Sequence, residues 1–245
     1  MRPIIRTREE AFAAVGGAPP ADRHVVVDVE TTGLSPRQGH RVIEIGAVAI
    51  EEGAVVGEFA SLIDAGVPVP YAVQAIHGIT DEMLAGQPTP EQVLPLFDKF
   101  IRESVLVAHN AAFDVRFLRH EFARLGMGLP HPHLCTLELS RRRLPRLSDH
   151  TLETVYLHLF PDAGLHRQNH RALDDARMTA KIWLKMAADP VFFAEYLQRI
   201  GRRKSAMSGF RRSTQKDFER KTGKRVVTPE NYLNEPESRK RLLKK

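Results

Sequence analysis

Hydrophobic positions along this chain switch between two periods. His24-VVVDVET is a β-branched run of strand length, and the turn formers TTGLSPRQGH follow it. Arg41-VIEIGAVAIEEG predicts a second strand, a tight hairpin at the glycine, and a third strand from Val55 to Ile63. Pro68 to Pro70 then interrupt the extended pattern, and Tyr71-AVQAIHGIT and Asp81-EMLAG predict short helices around Gly78. Thr89-PEQVLPLFDKFI has threonine at the N-cap and proline at the first helical position, which is a strong helix start.

The second half alternates. Ser104-VLVAHN predicts a short buried strand. Ala112-FDVRFLRHEFARLG gathers Phe113, Phe117 and Phe122 near one helical face and stops at Gly126. A short strand is expected near His133-LCT, with helices over Thr136–Arg143, Ser148–Leu159 and Arg171–Ala187. A helix from Thr7 to Val15 and another from Val191 to Ile200 complete the reading. A three-strand meander followed by helices alternating with two more strands predicts an α/β domain with a mixed sheet flanked by helices. The expected division is an N-terminal arm at 1–23, one domain at 24–190 and a C-terminal extension at 191–245.

Charge separates these parts. Residues 196–245 hold 16 Lys and Arg against 5 Asp and Glu, a net of +11, whereas residues 1–195 hold 20 against 25, a net of −5. An acidic body with a basic tail suits a polyanionic partner or a solvated arm. Phe210 and Phe218 lie among the tail cations, a mixture that suits single-stranded nucleic acid or docking on a partner protein. The lone Cys135 allows no internal disulfide. The first residues have no signal-peptide core and no run of apolar residues is long enough to span a bilayer. A cytoplasmic protein without membrane contact is expected.

Candidate chemistry sits in three short segments. Asp28 and Glu30 are two apart on the first strand, so both point to one face of an apolar strand. Burying two carboxylates together is costly unless a cation neutralises them, and oxygen-only ligands favour Mg²⁺ or Mn²⁺. Asp114, in His109-NAAFDVRFL, falls in the first turn of a helix, where the dipole favours an anion; Asn110 before it is also readable as a cap or turn residue. In Asn169-HRALDDARMTA, His170 precedes a helix whose first turn carries Asp175; Asp174 points about 100° away and is expected to be solvated. A histidine beside metal ions suits a general base near neutral pH.

Taken in order, VVVDVETTGL, HNAAFDVRFL and HRALDDA closely resemble the three exonuclease motifs of the DEDDh (DnaQ-like) family, of the polymerase III epsilon-subunit type. Ile76-HGIT and Thr136-LELSRRRLP are further matches, and the resemblance covers about residues 24–188. It implies a ribonuclease H-like fold with a mixed five-stranded sheet, and a metal-dependent 3′→5′ exonuclease that releases nucleoside 5′-monophosphates. It implies that Asp28, Glu30 and Asp175 hold one divalent ion. Asp28 would bridge to a second ion, assisted by Asp114, and His170 would be the base. It places Thr31, Thr32, Gly33, Leu34, His77 and Asn110 against the terminal nucleotide, although His77 is equally readable as a turn residue. The expected substrate is the 3′ end of single-stranded DNA, with RNA ends and a non-catalytic nucleic-acid-binding adaptor as alternatives. A DNA polymerase or other replication protein is a conceivable partner for the extension.

Overall fold

The computed structural model describes residues 23–163 and 171–189. His170, the helices expected at Thr7–Val15 and Val191–Ile200, and the basic tail lie outside the described residues. Five strands form one sheet: β1 (Arg23–Thr31), β2 (Val42–Glu51), β3 (Ala54–Leu62), β4 (Val105–Ala108) and β5 (His133–Cys135). Their order is β3-β2-β1-β4-β5. β2 runs antiparallel to both β1 and β3, and β4 and β5 add in parallel beside β1. The meander closes through Glu52 and Gly53, with φ of 51° and 80°. Two consecutive positive φ values define the primed turn whose twist matches the flanking strands.

Seven α-helices accompany this sheet among the described residues: α1 (Tyr71–His77), α2 (Asp81–Leu84), α3 (Pro90–Ile101), α4 (Ala111–Arg124), α5 (Thr136–Arg143), α6 (Leu152–Leu159) and α7 (Ala172–Ala187). Period two in β1 sorts them. Val25, Val27 and Val29 pack with Phe97, Phe117 and Phe122 of α3 and α4. Val26 packs with Val48 of β2 and with Ala176 and Trp183 of α7. Both faces are therefore covered, and β2 is buried from Val42 to Ile50.

Helix α6 begins at Leu152, four residues later than the hydrophobic pattern predicts. Thr151 caps it, its side chain accepting from the Thr154 amide, and Asp149 accepts from both the amide and the hydroxyl of Thr151. These local side-chain bonds hold Ser148 to His150 out of the helix.

Candidate active site

Asp28 and Glu30 follow Val26 at even spacing, so they share the β1 face that looks toward α7. The ladder between β1 and β4 is registered only from His24 to Val26. Beyond it β1 runs on without β4 as a partner, so both carboxylates lie at the carboxyl ends of the parallel pair, where open α/β sheets usually bind ligands in a crevice. Both remaining acidic residues enter here from helix starts. Asp114 is the fourth residue of α4 and Asp175 the fourth of α7, each in the first turn, where the helix dipole favours a carboxylate.

The approach of α7 has a specific cause. Gly46 lies opposite Asp28 in the β1/β2 register. A Cβ there would stand 2.1 Å from the backbone of Ala172 and Leu173. The glycine thus lets the helix start rest on the strand itself, which brings Asp175 over Asp28. Carboxylate oxygens of Asp28, Glu30 and Asp175 lie within 4.8 Å of one another. Asp114 is outside that set. Asp174 is exposed and bonded to Arg177, as its position around the helix predicts.

Electrostatics show what this convergence costs. Burial, then the charges of Asp114, Glu30 and Asp175, push the Asp28 carboxyl well above its ordinary range. Burial first and Asp175 second raise Glu30 to about 8, with nearby Arg171 pulling the other way. Burial raises Asp114 to about 7, against the opposing pull of the backbone amides of Asp114 and Val29. Without a cation these groups would hold protons near neutral pH. An all-oxygen donor set of this span fits a hard divalent cation, which would take the place of those protons.

The segment after Glu30 forms the wall of the crevice. Thr31 is buried and donates its hydroxyl to the Gly33 carbonyl at 2.7 Å. Thr32 and Arg41 exchange two bonds of 2.9 Å, closing a loop over residues 33–40. Arg41 in turn makes a two-pronged ion pair with Glu121 of α4, at 2.8 and 2.9 Å, and donates to the Ala65 carbonyl. At Gly33 a Cβ would stand 2.5 Å from the His40 ring, so a larger residue there would require that side chain to move. Leu34 is 79% exposed while Arg116 holds its carbonyl, so its side chain projects from a fixed backbone. His77 is buried at the end of α1, where its Nδ1 accepts from the Ile79 amide. Asn110 is exposed and left-handed (φ 69°), and its side chain makes no cap bond to α4.

Two residues beside the carboxylates are not marked out by the sequence alone. Glu44 is buried and lies opposite Glu30 in the register, and Arg171 reaches it from the start of α7. The one signal for Glu44 is a lone charge within the apolar run Val42–Ile50.

Comparison with known proteins agrees with this architecture. The exonuclease family model RNase_T matches residues 25–183. The PolC-type DNA polymerase III of Clostridium perfringens is 41% identical over 180 residues, 73% of this chain, but the chain spans only 12% of that relative's length. The DNA polymerase III epsilon subunit of Aquifex aeolicus is 35% identical over 164 residues, covering 66% of this chain and 79% of the relative. Among solved structures, exonuclease X in complex with 5′-overhanging duplex DNA superposes with a TM-score of 0.57 at 29% identity, covering 72% of this chain and 98% of that one. E. coli exonuclease I in complex with a dA16 oligonucleotide shares the fold, with a TM-score of 0.60 at 17% identity over 70% of this chain and 42% of that one. The described sheet and its helices thus have the ribonuclease H-like architecture of these nucleases, and the chain belongs to the RNase_T exonuclease family.

Proposed function

We propose that this protein is a metal-dependent 3′→5′ exonuclease that acts on single-stranded DNA ends and releases nucleoside 5′-monophosphates. The observation that carries the reading is the convergence of Asp28, Glu30 and Asp175 on one point of a crevice. Among the described residues, the nearby arginines Arg171 and Arg177 are bonded to Glu44, Glu58 and Asp174 rather than to this set. Asp28, Glu30 and Asp175 would hold one Mg²⁺ or Mn²⁺ ion, and Asp28 with Asp114 would hold a second. Bound divalent ions would lower the proton affinity of the attacking water and offset charge on the phosphate and the departing 3′-oxygen. His170, adjacent in sequence to Arg171 at the start of α7, would accept the proton of that water. The wall formed by Thr31, Thr32, Gly33 and Leu34 would position the terminal nucleotide, Leu34 packing on the base without reading its identity, with Asn110 and the His77 turn at its margins.

The DNA assignment is supported by what the relatives are named for: DNA polymerase III chains and a subunit of that polymerase. The catalytic unit would span residues 24–190. Residues 191–245 would form a basic extension that engages nucleic acid or a replication protein, with 1–23 as an arm. Digestion of matched 3′-labelled and 5′-labelled single-stranded DNA and RNA, with Mg²⁺, Mn²⁺ or EDTA, tests the reading. A metal-dependent ladder shortening from the 3′ end of DNA is expected. Preferential loss of the RNA ladder would reassign the substrate, and binding without cleavage under any metal would favour the adaptor.

A further inference from the structure

Glu44 lies at the site yet is not part of the carboxylate set. It is the only charged residue between Val42 and Ile50, it is 4% exposed, and it stands opposite Glu30. Its oxygens are already committed. Oε1 accepts from Nη2 of Arg171 at 2.7 Å and from Nε at 3.0 Å, while Oε2 accepts from the Ala172 amide at 3.1 Å. The α7 start has no cap from its own N-cap side chain, so a strand carboxylate supplies that bond from outside the helix. Two residues along β2, Gly46 seats the same turn against the backbone. The Asp175 amide bonds to the Arg171 carbonyl at 3.0 Å, which puts the metal-site aspartate one rigid turn above the clamp.

We infer that Glu44 and Arg171 form a positioning pair that sets the Asp175 carboxylate against Asp28 and Glu30 and thereby governs divalent-ion affinity. This inference rests on the metal reading proposed above. The two partners make it separable from simple electrostatics. Removing the Glu44 charge would weaken cation binding through the field alone. Removing the Arg171 charge would tighten it through the field, because a nearby cation is taken away. Positioning predicts weakening in both cases.

The test is Mn²⁺ titration of the full chain without nucleic acid, following free Mn²⁺ by electron paramagnetic resonance. It compares wild type with Glu44→Gln, Arg171→Gln, Arg171→Lys and the double Gln variant, with Asp28→Ala as the control for a destroyed site. Arg171→Gln is expected to weaken binding about tenfold or more, in the range found when groups supporting metal ligands are removed. The double variant should be no weaker than the poorer single. Arg171→Lys, which keeps the charge but loses the fork, should fall between wild type and Arg171→Gln, and it carries the test if Arg171→Gln does not melt cooperatively. Excess Mn²⁺ should restore most of the cleavage rate with little change in KM for the oligonucleotide. Unchanged or tighter Mn²⁺ binding in Arg171→Gln, whatever its melting temperature, would overturn the inference. Failure of wild type to bind Mn²⁺ would instead overturn the metal reading beneath it.

Discussion

Glu30 carries a titration signature that can be read without substrate. Burial and neighbouring carboxylates hold it near 8, above its ordinary 4.5. The folded protein therefore binds a proton there that the unfolded chain has released across that interval. Its contribution to stability is fully present below about pH 4.5 and is lost as pH rises through about 8. Thermal melting in EDTA should show wild type losing stability between pH 5 and 8 more steeply than Glu30→Gln, which has no proton to lose. Equal slopes would mean that Glu30 is not held in this environment. Asp28 and Glu30 are legible in the sequence because a period of two on an apolar strand fixes a shared face. Asp114 and Asp175 are legible as carboxylates at helix starts, and the motif order ties them together. Glu44 is not, because a lone glutamate in a strand acquires meaning only when the register sets it opposite Glu30 and a helix start supplies its partner.

Among the elements, β2 decides where α7 sits. Gly46→Ala places a methyl group where the helix backbone already is, and a backbone cannot rotate aside as a side chain can. Forced overpacking of this kind costs on the order of 1–3 kcal/mol or more, and here the displaced turn carries Asp175. Urea unfolding of Gly46→Ala should show that destabilisation together with a fall in nuclease rate; wild-type values for both would refute the seating of α7 on β2. The strands and most helices are readable from periodicity and caps. The start of α6 is not, because Asp149 and Thr151 satisfy the backbone locally and compete with another helical turn. The part-buried Arg41–Glu121 pair joins a loop to a helix 80 residues away, a separation over which no periodic pattern reports.

On the scale of the whole molecule, an acidic body that would hold cations at its catalytic crevice is joined to a segment of opposite charge. If that segment is a nucleic-acid arm, removing everything after residue 195 should weaken binding to long single strands. It should also flatten the dependence of log affinity on log salt, by about 0.7 for each phosphate no longer neutralised. An unchanged slope would direct attention to a protein partner instead. The charge of the extension is plain in the sequence, but its occupant is not, because cations among aromatics suit both partners equally. The chain also spans only 12% of the length of its Clostridium perfringens relative, so the partners of that much larger polymerase do not transfer to it by similarity alone.

The central claim is that cleavage depends on the carboxylates gathered at the end of β1. Its most direct test is a single-turnover assay of Asp28→Ala against wild type on a 5′-labelled single strand in Mg²⁺ and in Mn²⁺, with melting temperatures measured in parallel. Wild type should shorten the strand from its 3′ end. Asp28→Ala should leave the strand intact in either metal, with a metal-free melting temperature equal to or above that of wild type, because a half-buried carboxylate repelled by its neighbours has been removed. Near-normal shortening by a folded Asp28→Ala protein would contradict the account.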